Sequence, residues 1–142
     1  MSNTPSDSTP TRAPQIFVIE DHDNLRKLLG VFLDMQDDFE FVGSARSAED
    51  ALVLVPEVKP DIIMVDLSLP RMSGVEFVRA IKQELPEVKC IMLSGHNERS
   101  HAEQAIAAGA MGYILKGNPL EVGEAIRRCL AGEIIISAEL ER

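Results

Sequence analysis

Short apolar runs alternate with longer amphipathic segments along most of this chain. The runs are rich in Val and Ile and bounded by polar or turn residues, so each predicts a short buried strand. Strands that are apolar throughout, rather than alternately apolar and polar, predict a parallel sheet covered by helices on both faces. The five runs are QIFVIE (15–20), FEFVGSA (39–45), DIIMVD (61–66), VKCIMLS (88–94) and GYILK (112–116).

The segments between the runs have the period of a helix. Ser47, with Asp50 three residues later, predicts the start of a second helix that runs to about Pro56. Later helices are predicted at about 74–85, 98–108 and 119–131, and Gly132 is suited to end the last one. In the first helix, Asp23 or Asn24 could cap the start, and one apolar stripe is predicted from Leu25, Leu28, Leu29, Phe32 and Leu33.

Five strand–helix cycles in a chain of 142 residues predict one doubly wound α/β domain with one full core. Residues 1–14 are rich in Ser, Thr and Pro without any period, which indicates a disordered lead. The domain is therefore predicted at 15–133. Residues 134–142 are interpreted as a tail or the start of a linker.

Composition narrows the classes of partner. Fourteen basic and 23 acidic residues give a net charge of −9, which disfavours direct binding of nucleic acid or of an anionic membrane. Cys90 and Cys129 lie inside apolar stretches, as buried cysteines do in reducing compartments, so a cytoplasmic location is expected. No apolar run approaches the ~18 residues of a membrane span.

The residue that closes each predicted strand carries the chemistry. In open parallel sheets, ligands bind at the carboxyl ends of the strands, near the point where the strand order reverses. Glu20 and Asp21 close the first strand, and Asp66 closes the third. Ser94 and Lys116 close the fourth and fifth strands. Three carboxylates, a hydroxyl and an ammonium group are thus predicted at one edge of the sheet.

Clustered carboxylates repel one another, so they favour binding of a cation. Mg²⁺ prefers oxygen ligands and is commonly held by one or two carboxylates together with a phosphate. Glu20, Asp21 and Asp66, with a backbone carbonyl just after Asp66, could supply the protein oxygens. Asp66 could also act as a nucleophile toward phosphorus, while Lys116 and Ser94 stabilise charge on the transferring group.

The segments VIEDH, VDLSLPRMSG, MLSG and GYILKG resemble the signature segments of the receiver domain of two-component response regulators, over about residues 15–133. The resemblance implies a flavodoxin-like (βα)₅ fold with strand order 2-1-3-4-5. It also implies a role for each site residue. These are Glu20 and Asp21 as the acidic pair for Mg²⁺, Asp66 as phospho-acceptor, the Ser68 main-chain carbonyl as a further metal ligand, Ser94 as the hydroxyl switch, Tyr113 as the aromatic switch, and Lys116 as the phosphoryl-binding lysine.

EDH after the first strand and the tail AIRRCLAGEIIISAELER resemble, more narrowly, the NarL/LuxR-type regulators. That resemblance implies a sensor histidine kinase or phosphotransfer protein as the phosphoryl donor. A homodimer through the fourth or last helix is also implied as possible. Transcriptional output would come from a DNA-binding helix-turn-helix domain that the 142 residues do not include, and a truncated chain and a stand-alone receiver both stay open. Such a domain is a signalling module rather than an enzyme, and its only reactions are self-catalysed phosphoryl transfer and autodephosphorylation.

The same residues bear on alternative functions. A receiver-like interaction module that is never phosphorylated stays open, as does simple packing for Tyr113. A phosphatase with an aspartate nucleophile needs a second acid where Ser68 stands, and a flavin module needs a phosphate cradle where EDHDN is acidic. Ser68 and His96 match family positions that influence the lifetime of the aspartyl phosphate.

Overall fold

In the computed structural model, which describes residues 13–95, 99–116 and 119–136, strands and helices alternate regularly. The elements in chain order are β1 (Gln15–Ile19), α1 (Asp23–Asp34), β2 (Glu40–Ala45), α2 (Ala48–Val58), β3 (Ile62–Asp66), α3 (Gly74–Glu84), β4 (Lys89–Ser94), α4 (Arg99–Ala108), β5 (Gly112–Leu115), α5 (Pro119–Leu130) and β6 (Ile135–Ile136). All strand pairs are parallel, in the order β2-β1-β3-β4-β5-β6. The predicted doubly wound sheet and the order 2-1-3-4-5 of its first five strands are confirmed.

Each face of the sheet has its own core. Successive residues of a strand point to opposite faces, so Phe17 and Ile19 of β1 join one apolar cluster while Ile16 and Val18 join the other. The first cluster packs against α2, α3 and α4, and the second against α1 and α5. Both sides of the central strands β1, β3, β4 and β5 are therefore buried, which explains why these strands are continuous apolar runs, whereas the edge strand β2 is only partly buried.

Several local signals act as predicted. The Ser47 hydroxyl accepts a hydrogen bond from the amide of Asp50 at 3.1 Å, which caps α2. Gly132 has a φ of +95°, and its amide bonds the carbonyl of Cys129 at 2.9 Å just after α5. A reciprocal capping box also starts α3, where Ser73 and Glu76 exchange hydrogen bonds with each other's backbone amides.

Three local predictions are wrong. The residue that precedes α1 is His22, which makes no side-chain cap. Leu28, placed in the buried stripe of α1, is 54% exposed because it lies beyond the edge of the face that meets the sheet. Helix α2 continues past Pro56 to Val58, because proline in the last turn removes only one amide donor.

The sequence patterns also missed a strand. Ile135 and Ile136 pair with Gly112 and Tyr113 and add a sixth parallel strand beside β5. Ile135 is 5% exposed and belongs to the core on the α1 and α5 side. The sheet thus extends beyond residue 133. The predicted lead, apart from residues 13 and 14, and the tail after residue 136 lie outside the described residues, as does His96.

Candidate functional site

The predicted site residues meet at the carboxyl edge of the sheet. Strand β3 ends at Asp66 and β4 at Ser94, while Glu20 and Lys116 directly follow β1 and β5. Glu20, Asp66 and Ser94 are at most 1% exposed, an unusual burial for two carboxylates. Their convergence follows from the topology, because neighbouring parallel strands all end on the same side.

Lys116 joins two of the carboxylates. Its Nζ lies 3.1 Å from Glu20 Oε1 and 3.1 Å from Asp66 Oδ1, although these residues are far apart in sequence. Burial by itself lowers the pKa of the Lys116 ammonium group, but the carboxylates of Asp66 and Glu20 outweigh this effect and hold the pKa above its usual value. The lysine is therefore fixed as a cation between the ends of β1 and β3.

Glu20 is held by its neighbours in sequence. Its Oε2 accepts a hydrogen bond from the His22 amide at 3.1 Å and lies 2.9 Å from His22 Nδ1. The hydrogen bond to Glu20, helped by the charge of Asp21, raises the pKa of His22 above its usual value. Arg26 donates to the main-chain carbonyl of Glu20 at 3.0 Å, so α1 and the end of β1 are joined.

The two oxygens of Asp66 have different surroundings. Oδ1 accepts a hydrogen bond from the Ser68 amide at 3.0 Å and faces Lys116. Oδ2 is buried and has no hydrogen-bond partner among the described residues. A buried carboxylate oxygen without a protein partner is costly, so this oxygen is suited to contact a bound group.

Gly74 lets the chain pass close behind Asp66. A Cβ atom at residue 74 would collide with the main-chain carbonyl oxygen of Asp66, and it would lie only 2.8 Å from Cε of Met92. The first residue of α3 must therefore be glycine for the helix to start directly behind the end of β3. Gly74 therefore shapes the backbone behind the end of β3.

The acidic residues could hold a metal ion. One ligand atom from each of Glu20, Asp21, His22 and Asp66 lies within 4.8 Å of the others. Glu20 Oε1 and Asp21 Oδ1, like Asp66 Oδ2, are buried without a hydrogen-bond partner among the described residues, although Lys116 lies near the first as an ion pair. Inward-facing carboxylate oxygens fit a hard divalent cation such as Mg²⁺.

Ser94 and Tyr113 lie on neighbouring strands beside this cluster. Tyr113 pairs in register with Met92 of β4 and Ile136 of β6, and its side chain is fully buried. Ser94 is also buried, and its carbonyl accepts a hydrogen bond from the Lys116 amide at 2.8 Å. Ser68 is exposed, and its amide rather than its side chain contacts Asp66.

Sequence reasoning missed two residues that position the site. No role in holding Glu20 was predicted for His22, although its place two residues after Glu20 was a local signal for the contact. Glu49 of α2 accepts a hydrogen bond from the Met72 amide at 3.1 Å and so holds the loop that follows Asp66. No local pattern connects Glu49 to that loop, because the two are 23 residues apart.

Comparison with known proteins agrees with this geometry. Residues 16–127 match the family model described as the response regulator receiver domain. The chain belongs to the response regulator receiver family. It is 33% identical over 129 residues to the response regulator protein VraR of Staphylococcus epidermidis, covering 90% of this chain and 62% of VraR. It is 34% identical over 126 residues to the transcriptional regulatory protein YhcZ of Bacillus subtilis, covering 89% of this chain and 59% of YhcZ.

A solved structure gives the same result for this receiver. The LuxR-family two-component response regulator of Aurantimonas superposes with a TM-score of 0.86 at 29% identity, over 91% of this chain and 93% of that one. The domain is thus a signalling receiver of the LuxR/NarL type, as the sequence predicted. It spans about three fifths of the length of VraR and YhcZ. Within the described ranges, no helix is long and apolar enough to cross a bilayer.

Proposed function

We propose that this receiver, predicted at residues 15–133, accepts a phosphoryl group on Asp66 from a phosphohistidine of a sensor histidine kinase or phosphotransfer protein. One observation supports this most directly. Asp66 Oδ2 is buried and unpartnered among the described residues, while Oδ1 is held by Lys116 and the Ser68 amide. A carboxylate that is fixed through one oxygen and makes no hydrogen bond at the other is prepared for nucleophilic attack.

In the proposed transfer, Asp66 Oδ2 attacks phosphorus and forms a P–O bond. The P–N bond to the donor imidazole breaks, and its electron pair stays on the ring nitrogen. The imidazole leaves neutral, with one proton that its other nitrogen already carries or that the ring takes from solvent. No oxidant or reductant is needed. The product is an acyl phosphate on Asp66, and attack by water on phosphorus would return the free carboxylate.

Lys116 supplies the positive charge that this reaction needs. Its ammonium group lies 3.1 Å from Asp66 Oδ1, so it can follow the new phosphoryl oxygens with little movement. Glu20, Asp21 and Asp66, with the Ser68 carbonyl, would hold Mg²⁺, which neutralises charge on the transferring group. The Ser94 hydroxyl would donate a further hydrogen bond to the phosphoryl group, because Ser94 lies at the end of β4, the strand next to β3.

The added charge of about −1.5 to −2 on Asp66 would draw Ser94 and Lys116 toward the phosphoryl group. Because Tyr113 lies three residues before Lys116 on β5, a shift of this strand end would change the surroundings of the ring. The receiver would thus convert phosphorylation into an altered surface around β4 and β5. The switched receiver would control transcription in the cytoplasm, as the similarity to YhcZ suggests.

The first experiment measures intact mass after incubation with Mg²⁺ and acetyl phosphate. We expect the gain of one phosphoryl group, and no gain in Asp66→Asn. The matched control is Asp61→Asn, because Asp61 lies just before the other end of β3 and bonds the Gln15 amide. That variant should gain one phosphoryl group like the unmodified chain.

The same samples test the switch. The chain has one tyrosine and no tryptophan, so intrinsic fluorescence reports on Tyr113 alone. Phosphorylation should change its intensity or its quenching by iodide. Phosphorylation without any such change would overturn the switch, while no mass gain in a folded sample would favour a phosphorylation-independent interaction module.

A further inference from the structure

A side chain of α2 supports the loop that follows Asp66. We call residues 67–73, which join the end of β3 to the start of α3, the β3–α3 loop. Glu49 lies in the first turn of α2, and its Oε2 accepts a hydrogen bond from the Met72 amide at 3.1 Å. Its Oε1 lies 3.7 Å from Nη2 of Arg71 in the same loop. Both carboxylate oxygens of Glu49 therefore face the loop.

The loop turns sharply beside this contact. Arg71 has a φ of +61°, which lies in the left-handed region that residues with a Cβ atom rarely adopt. A residue in such a conformation persists only where its surroundings hold it there. Leu69 before it is buried in the core on the α2, α3 and α4 side, and Met72 after it packs against the same core. The turn at Arg71 is therefore held from both sides.

The hydrogen bond at Met72 supplies a restraint that burial cannot. The hydrophobic effect is non-directional, so burial of Leu69 keeps the loop close to the core but does not fix how its peptide groups are turned. A hydrogen bond weakens steeply when it is bent, so the Glu49 carboxylate fixes the direction of the Met72 amide. That amide belongs to the peptide group that follows Arg71. Glu49 thus holds the left-handed turn from its C-terminal side.

The same loop enters the site at its other end. Ser68 donates its amide to Asp66 Oδ1 at 3.0 Å, and its carbonyl is the main-chain group that would hold Mg²⁺ in the proposed function. Only three residues separate Ser68 from Met72, and the ring of Pro70 fixes one of their backbone angles. A connection this short and stiff carries a change at Met72 to the peptide groups of Ser68.

We propose that Glu49 is a positioning residue for the metal site beside Asp66. By holding the Met72 amide, it fixes the β3–α3 loop and so orients the Ser68 carbonyl for the ion. Among the described residues, Glu49 is not one of the four whose ligand atoms cluster at the site, so it acts through the loop and not by contact with the ion. This inference rests on the proposed function, since both concern the same metal site.

Isothermal titration calorimetry with Mg²⁺ tests the inference on the unphosphorylated chain. Glu49→Ala should raise the Mg²⁺ dissociation constant about fivefold, less than the ~10–100-fold typical when a direct partner of a metal ligand is lost, because Glu49 acts from further away. Glu49→Gln keeps a side-chain oxygen that can accept from the Met72 amide. Its dissociation constant should therefore stay within about twofold of that of the unmodified chain.

The matched control is Asp50→Ala. Asp50 is the next residue in the first turn of α2, and its side chain is exposed. Each alanine variant removes one acid near the N-terminus of the same helix, so both lose the same kind of interaction with the helix dipole. Only Glu49→Ala also releases the loop, so Asp50→Ala should leave the Mg²⁺ dissociation constant unchanged.

The rate of phosphorylation separates positioning from a general loss of structure. With acetyl phosphate and increasing Mg²⁺, Glu49→Ala should need about fivefold more Mg²⁺ for its half-maximal rate of mass gain, while its maximal rate stays within about twofold of that of the unmodified chain. A variant that is partly unfolded would instead lose maximal rate at every Mg²⁺ concentration.

Equal Mg²⁺ affinities of Glu49→Ala and the unmodified chain overturn the inference, and so does a loss in Glu49→Gln or Asp50→Ala as large as that in Glu49→Ala. An unmodified chain that binds no Mg²⁺ overturns it together with the proposed metal site. Failure of the phospho-acceptor alone is distinguishable, because calorimetry would then show the effect of Glu49 while no sample gains a phosphoryl group.

Discussion

Two networks of opposite charges connect distant parts of this receiver, and they differ in burial. At the carboxyl edge, Lys116 lies between Glu20 and Asp66, whose side chains are 0% and 1% exposed. At the surface, Arg127 of α5 pairs with Asp38, which lies just before β2, and both side chains are about half exposed, at 43% and 51%. Ion pairing between a basic side chain and carboxylates therefore occurs once in the interior and once at the surface.

The surface network has the better geometry. Arg127 Nε and Nη2 contact the two carboxylate oxygens of Asp38 at 2.6 and 3.1 Å, and Nη2 also bonds Gln36 at 2.9 Å. The guanidinium carbon lies 5.2 Å from the centre of the Phe39 ring. Every charge there is matched, whereas the buried site keeps more negative charge than Lys116 can balance. The well-matched ion pair at the surface supports the fold, whereas the excess of negative charge at the buried site supports the function.

The largest expected effect comes from breaking the buried network. Lys116→Met removes the only cation between Glu20 and Asp66 in the described structure and leaves two buried carboxylates unbalanced. Because the lysine is still 21% exposed, we expect a loss of about 2 kcal/mol in the free energy of unfolding, below the ~3–5 kcal/mol of a fully buried pair. Urea unfolding at neutral pH measures this loss.

The same variant should respond more strongly to Mg²⁺. With the competing ammonium group removed, the ion would bind the carboxylates more tightly, so added Mg²⁺ should recover part of the lost stability. Arg79→Met, at an exposed position of α3, is the control and should stay within about 0.5 kcal/mol of the unmodified chain. An equal loss in both variants would show that Lys116 contributes no more to stability than an exposed basic residue does.

A smaller effect is expected at the surface. Arg127→Ala removes the bidentate pair with Asp38 and the contact with Phe39, and we expect a loss of about 1 kcal/mol in unfolding free energy. Arg128→Ala is the matched change on the same helix. Arg128 pairs with Glu133 at 2.9 Å, only five residues away, so its loss should be at most about 0.5 kcal/mol. Equal losses would show that the long-range geometry of Arg127 contributes nothing.

The smallest effect is the pH dependence of the surface pair. The hydrogen bond from Arg127 lowers the pKa of Asp38, so the folded chain binds its proton less tightly than the unfolded chain does. This stability is present above the ordinary aspartate pKa of about 3.9 and is lost as the pH falls through the lower folded value. The difference between the unmodified chain and Arg127→Ala should therefore shrink in acid. A constant difference would assign the whole effect to packing on Phe39.

The site was predictable because its residues are placed by topology. Glu20, Asp66, Ser94 and Lys116 each follow directly from where an apolar run ends, and parallel strands bring such ends together. The central strands are themselves visible in the sequence, because burial on both faces makes them apolar throughout. The chain positions of the strands therefore gave both the fold and the place of the chemistry.

The parts that were missed depend on contacts that no local pattern encodes. Leu28 has the spacing of a core residue, and its exposure follows only from how far α1 is turned relative to the sheet. Strand β6 has two residues, too few for a period, and it exists because β5 offers an open edge. Met72 is held by Glu49 from another helix, a contact that only the folded chain brings about.

The direction of β6 has a practical consequence for biosensor design. Because this strand runs parallel to the other five, the chain at Ile136 is directed toward the edge of the sheet where Asp66 lies. A fluorophore attached at residue 136 would thus be carried by the strand beside β5, on the same sheet as the candidate phospho-acceptor Asp66. A label attached just before Gln15 would instead lie at the opposite edge of the sheet, where β1 begins.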